Sequence, residues 1–187
     1  MASVLRRTLV RLILYAAKKI QTFKRIFCLL LSMSKVYSII LEQKIPVDVK
    51  AAWNFFSHPK NLAAITPKKL HLHFINNIFS EEMYAGQIIE YKVRPFLNIP
   101  FYWMTEITHI DDFKFFVDEQ HYGPYSLWHH QHHFKAIEGG TVMTDIVHYK
   151  IPFWFLGDIA NSLFVKAQLK KIFDYRYKAV EDEFGKW

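Results

Sequence analysis

The stretch SLWHHQHHFKAIEGGTVMTDIVHYK, residues 126–150, holds two runs of strand-forming residues that meet at Glu138-Gly139-Gly140. β-Branched and aromatic residues crowd both arms, and a short glycine-containing break between two such runs reads as a hairpin. Side chains alternate faces along a strand, so Trp128, His130, His132 and Phe134 share one face, and His129, Gln131, His133 and Lys135 share the other. A two-residue loop, whether Glu138-Gly139 or Gly139-Gly140, makes paired positions sum to an odd number. Either register puts Thr141, Met143, Asp145, Val147 and Tyr149 on the face of His130 and His132. Two large rings at the ends of the even-numbered set assign that face to the covered, concave side.

Downstream the period changes. After Pro152, the apolar residues Ile159, Leu163, Val165, Leu169, Ile172, Phe173 and Tyr177 return at helical spacing. They predict a helix over Leu156–Glu183, roughly 40 Å long at 1.5 Å per residue. Upstream, Phe113–Gln120, Ile99–Ile110 and Gln87–Arg94 read as strands, punctuated by Gly123-Pro124, Asp111-Asp112, Pro95 and Ala85-Gly86. Before them Leu70, Leu72 and Phe74 alternate with His71, His73 and Ile75, again at strand period. Val36–Ile45 is a further strand ending at Pro46, and Asp48 is placed to cap a short helix over VKAAWNFF. A second short helix spans about Lys60–Ile65 and stops before Pro67. The expected class is therefore α+β: a curved antiparallel sheet of about seven strands around one long C-terminal helix, with two short helices after the first strand. One sheet and one long helix must bury the helix stripe against the concave face.

Several segments carry a family resemblance: MYAGQIIEY (83–91), WMTEI (103–107), FVDEQ (116–120), GPYSLWHHQHHF (123–134) and DIVHY (145–149). Over about residues 35–187 the chain resembles the START-like helix-grip superfamily, also called SRPBCC or polyketide cyclase-like. The GPYSLWHHQHHF run resembles its small bacterial ligand-binding branch, which has no settled activity. The resemblance implies an apolar cavity between sheet and helix, closed by the two short helices and neighbouring loops.

Apolar residues make up 51% of the 187 and aromatic residues 17%, a globular composition rich in rings that fill a core or line a cavity. A single cysteine, Cys28, excludes an internal disulfide and any cysteine-based zinc site. The net charge of +7 is unevenly placed. Up to Lys35 the chain has eight Lys and Arg residues and no acid, which leaves 16 basic residues against all 17 acidic ones in the remainder. A nucleic-acid-binding domain carries its own basic face, so nucleic acid is not an expected partner.

Residues 1–34 form a separate extension. Leu5, Leu9, Leu12, Ala16, Ile20, Phe23, Phe27 and Leu30 mark an amphipathic helix with a basic remaining surface, suited to an anionic membrane. Lys18, Lys19, Lys24 and Arg25 interrupt any transmembrane span. Peripheral membrane contact through residues 4–31, an organelle targeting peptide, and a true start at Met33 stand as alternatives. The expected location is cytoplasmic, with membrane contact where the extension is retained.

Asp145 on the face of His130 and His132 would make a polar spot in an apolar cavity, since a buried carboxylate is costly unless paired. Glu106, Asp118, Glu119 and Arg94 lie on neighbouring strands and could extend it. The expected ligand-binding residues are Tyr91, Trp103, Glu106, Trp128, His130, His132, Phe134, Met143, Asp145 and Tyr149. The spot reads as a self-satisfied network, as an anchor for a ligand head group, or as a metal or acid–base site. Residues i and i+2 of a strand stand about 6.5–7 Å apart, wide for two ligands of one ion. No catalytic residue, metal ligand or cofactor is assigned. The expected function is to bind or carry a small hydrophobic molecule (a lipid, isoprenoid, quinone or polyketide-like aromatic). A cyclase- or hydrolase-type enzyme using the His/Asp spot is the alternative, and an interaction module at a membrane is a third.

Overall fold

The computed structural model describes residues 15, 18–22, 24, 35–76, 82–96, 98–152, 157 and 160–187. Residues 18–22 are helical, but most of the amphipathic pattern expected over 4–31 lies outside the described residues. Among the described residues, no helix is long and apolar enough to cross a membrane.

Seven antiparallel strands form one sheet: β1 (Tyr37–Ile45), β2 (His73–Phe74), β3 (Gln87–Phe96), β4 (Ile99–Asp111), β5 (Phe115–Tyr122), β6 (Leu127–Ile137) and β7 (Gly140–Lys150). Their order is β1-β7-β6-β5-β4-β3-β2. Helix α1 (Val49–Phe56) follows β1, and Asp48 caps it by accepting from the Ala51 amide at 2.8 Å. Short 3-10 turns at Pro59–Ala63 and Lys68–Leu70 lead to β2. A π-turn at Asn161–Val165 runs into α2 (Lys166–Phe184). The expected helix-grip arrangement is what the chain adopts, with α2 laid against one face of a curved sheet.

The hairpin of β6 and β7 has the expected register. Ile137 pairs with Gly140, His132 with Asp145 and His130 with Val147 across a turn at Glu138-Gly139. Gly139 sits at φ 82°, where L side chains are strained. A Cβ on Gly140 would stand 2.1 Å from the Ile45 carbonyl oxygen, so β1 crosses too closely for any other residue. Along β7, Thr141, Met143, Asp145, Val147 and Tyr149 are all buried and the residues between them half-buried.

Three expectations are corrected. Leu70, Leu72 and Phe74 do not lie on one strand: Leu70 ends a 3-10 turn, His71 adopts φ 46°, and only His73 and Phe74 pair with β3. Phe113 sits in a turn at φ 62°, so β5 starts two residues later than expected. On the final helix, Leu163 is 62% exposed and Tyr177 46%. The buried stripe is Val165, Leu169, Phe173 and Val180, at steps that keep to one face. Leu163 falls in the π-turn and Tyr177 on the flank beyond that stripe. Residues 153–156, 158 and 159, where the helix was expected to begin, lie outside the described residues.

Buried side chains fall into two main clusters. One gathers Trp53 and Phe56 of α1 with Phe116, Phe134, Met143 and Val180. The other gathers Val165, Leu169 and Phe173 with Trp103, Tyr125, Val147 and Tyr149. The functional site occupies the gap between them.

Candidate functional site

A cavity of about 200 Å³ lies between the sheet and α2. That exceeds the roughly 150 Å³ of a dry apolar cavity known to take up benzene. Tyr91, Val93, Trp103 and Ile107 line it from β3 and β4, and Trp128 from β6. Leu169, Ile172 and Phe173 of α2 face them. Phe56 closes one end together with Leu62 and Ile65, which lie in and just after the first 3-10 turn. Trp103 is held between rings: Tyr91 stacks on it with centroids 5.9 Å apart, while Tyr125 and Trp128 meet it edge-on at 5.7 and 5.5 Å. Its Nε1–H donates to Thr105 Oγ1 at 2.9 Å, so the indole meets the cavity with its polar atom already used.

One wall is charged. β6 brings His130 and His132, β7 brings Asp145, β5 brings Asp118, and α2 brings Arg176. Asp145 Oδ1 stands 3.1 Å from His130 Nε2 and 2.8 Å from His132 Nδ1. Asp118 Oδ2 stands 3.0 Å from His132 Nε2 and 3.5 Å from His130 Nδ1. Each imidazole therefore bridges the same two carboxylates. Arg176 Nε lies 3.4 Å from Asp145 Oδ2, and its guanidinium covers the Phe56 ring at 5.4 Å. Arg176 Nη2 also comes within 3.3 Å of His132 Nδ1. In that contact Arg176 donates, and His132 Nδ1 accepts when the ring carries its proton on Nε2. The two imidazole centroids are only 3.8 Å apart, and Phe116 stacks on His132 at 4.1 Å. The spacing argument against a shared partner thus holds for the backbone but fails for the rings, which tilt together onto common oxygens.

Burial alone would push both carboxyls up. The Arg176 charge and the hydrogen bonds from His130 and His132 outweigh it at Asp145, which is held well below the usual carboxylate range. Asp118 is lowered in the same way against its burial, chiefly by His132. Burial pushes His130 down, and the charge of His132 adds to it. Burial opposes the charged form of His132 too, but its bonds to Asp118 and Asp145 win, and His132 is raised. The shifts favour a state in which one guanidinium and one imidazolium, that of His132, balance the two carboxylates while His130 is neutral. Burial raises the Tyr91 and Tyr125 hydroxyls, which stay protonated around the cavity.

The structure brings together five of the ten expected residues at the cavity: Tyr91, Trp103, Trp128, His130 and His132. Asp145 lies behind the two histidines and reaches the cavity only through them. Phe134 and Met143 pack under α1 in the first apolar cluster. Tyr149 is buried beside Tyr125 and donates to Asn161 Oδ1 at 3.0 Å. Glu106 belongs to the other face of the sheet. Burial alternates without a break along β4 from Trp103 to Ile107, which turns Glu106 outward to meet His121 Nε2 at 2.5 Å. Glu119 and Arg94 are also absent from the polar wall: Glu119 accepts from His129 Nδ1 at 2.8 Å, and Arg94 reaches Asn98. Asp118 and Arg176 belong to the wall, and Arg176 is not among the ligand-binding residues expected from the sequence.

No protein-family model and no curated protein matches the chain. Solved structures do. A protein of Thermus thermophilus is 14% identical, with a TM-score of 0.58 over 79% of this chain and 97% of its own. The major latex-like protein 151 of Panax ginseng is 13% identical, with a TM-score of 0.58 over 80% and 97%. An uncharacterised protein of Rhizobium leguminosarum is 13% identical, with a TM-score of 0.54 over 80% and 97%. At these identities the likeness shows the helix-grip fold alone.

Proposed function

We propose that the chain binds and carries a small, ring-bearing hydrophobic molecule, held between sheet and α2 with its polar end against Asp118, His130 and His132. The observation behind this is the pairing of an aromatic cavity of about 200 Å³ with a single charged wall. An apolar pocket with a few converging polar groups is the ordinary design of a small-molecule site. A filled core would gain more from packing, because each void forfeits contacts on its lining. The acid-free segment over residues 4–31 would hold such a carrier at an anionic membrane, where apolar ligands partition.

Native mass spectrometry of the intact purified chain tests the reading directly. A co-purifying organic molecule is expected, released on denaturation. Leu62 lines the cavity and is half-buried, so Leu62→Trp should fill the space and exclude that molecule while the fold persists. A naphthol titration read by Trp103 and Trp128 fluorescence gives a second measure. Neither a bound molecule nor any saturable quenching would leave the carrier reading without support.

A further inference from the structure

The polar wall has the donor geometry of a metal site. Ligands of one ion at about 2.0–2.2 Å stand roughly 2.9–3.5 Å from each other at octahedral to tetrahedral angles. Asp118 Oδ2 lies 3.0 Å from His132 Nε2 and 3.5 Å from His130 Nδ1, and one ligand atom from each residue lies within 4.8 Å of the other two. The remaining nitrogen of each imidazole lies against Asp145 Oδ1: His130 Nε2 hydrogen-bonds it at 3.1 Å, and His132 Nδ1 stands 2.8 Å from it. Metal-bound histidines almost always give their second N–H to a carboxylate or carbonyl, which fixes the tautomer and turns the ring. Here one carboxylate does this for His130 and stands within reach of the second nitrogen of His132, while Arg176 Nε meets its other oxygen at 3.4 Å.

We propose that Asp118, His130 and His132 form a binding site for a divalent first-row transition metal, with Asp145 orienting both imidazoles from behind. Two imidazoles and one carboxylate suit Zn²⁺, Co²⁺, Ni²⁺ or Fe²⁺ better than Ca²⁺ or Mg²⁺, which favour oxygen ligands throughout. All three ligating residues line the cavity while Asp145 does not, so the open coordination positions face the space a ligand would fill. Charge points the same way. A divalent ion with two neutral imidazoles, two carboxylates and Arg176 leaves one net positive charge in an apolar cavity. The open position therefore selects an anionic oxygen donor, such as a carboxylate, enolate or phenolate. The site rests on donor geometry and does not require the carrier reading.

The test is Zn²⁺ titration by calorimetry and Co²⁺ titration by visible spectroscopy on the full chain, stripped of any organic molecule. One equivalent of Zn²⁺ per chain and a Co²⁺ ligand-field spectrum of nitrogen and oxygen donors are expected. In NMR spectra of the unaltered chain, Co²⁺ should shift the His130 and His132 ring resonances and spare His129 and His133, a result independent of whether any variant folds. Asp118→Asn and His132→Gln should abolish tight binding with the circular dichroism preserved, and Asp145→Asn should weaken it about 10–100-fold. No stoichiometric binding would overturn the proposal. So would binding that survives in Asp118→Asn or that disappears in His129→Ala. Because the protein is stripped and only the metal is added, failure here leaves the native mass spectrometry result standing.

Discussion

β6 carries two pairs of histidines that share a strand and differ in almost everything else. His130 and His132 face the cavity, buried between two carboxylates, an arginine and aromatic rings. His129 and His133 face outward. His129 Nδ1 donates to Glu119 at 2.8 Å, Gln131 Nε2 reaches His129 Nε2 at 3.0 Å, and His133 Nε2 donates to Gln131 Oε1 at 2.9 Å. The outer chain of hydrogen bonds is half-exposed, and water can replace any member of it. The inner cluster has no such substitute, so each of its charges depends on the others. Identical residue types one position apart thus contribute a replaceable surface network on one side and an interdependent one on the other.

The sharpest way to break this contrast is to remove one carboxylate from each side. Asp145→Ala leaves Arg176 buried without its counter-charge and His132 with Asp118 alone, and should destabilise by about 3–5 kcal/mol. Glu119→Ala should cost under about 1 kcal/mol. Urea denaturation of both variants measures the difference, and equal losses would end the distinction. Arg176→Met is expected to be milder, about 1–3 kcal/mol, because His132 still stands beside Asp145, although the guanidinium's cover over Phe56 is lost.

The pH dependence should separate the two faces next. Asp145 is held below its unfolded value, so its contribution is complete above about pH 4 and is lost as pH falls through the folded pKa. His132 is raised, so its contribution is complete below about pH 6.5 and is lost as pH rises through its folded pKa. The inner network is therefore strongest between those limits. Stability followed by urea midpoint should decline at alkaline pH in the native chain and stay flatter in His132→Gln. His129→Ala should be the smallest effect, within about 0.5 kcal/mol at any pH, because its partners remain wet. A larger loss would show that the outer chain of hydrogen bonds is structural.

What could be read from sequence followed the connections. The two-residue turn at Glu138-Gly139 fixes parity, so the placing of Asp145 on the face of His130 and His132 was legible before any coordinates, though not that it would meet both. Between β5 and β6 the chain passes through residues 123–126, a connection too long to fix parity. Asp118 and Glu119 were therefore indistinguishable as partners, although Asp118 pairs directly with His130 and turns inward. Glu106 was misplaced for a related reason: a strand known only by its composition gives no face until a neighbour of fixed register is attached. Arg176 sits on the edge of the stripe of Leu169, Phe173 and Val180, and a charged residue beside an apolar stripe carries no signal of whether it turns inward or out. Leu70 and Leu72 imitated a strand because a turn in the left-handed region at His71 has no hydropathy signature.

The Glu138-Gly139 turn has a consequence for how the chain can vary. Exposed loops ordinarily accept length changes cheaply. Here one added residue would exchange the faces of β7, turning Asp145 toward solvent and Ile146 toward Arg176. Homologous chains that keep the buried charges should therefore show a fixed number of residues between Ile137 and Gly140, an indel-free surface loop whose constraint originates in the cavity below it.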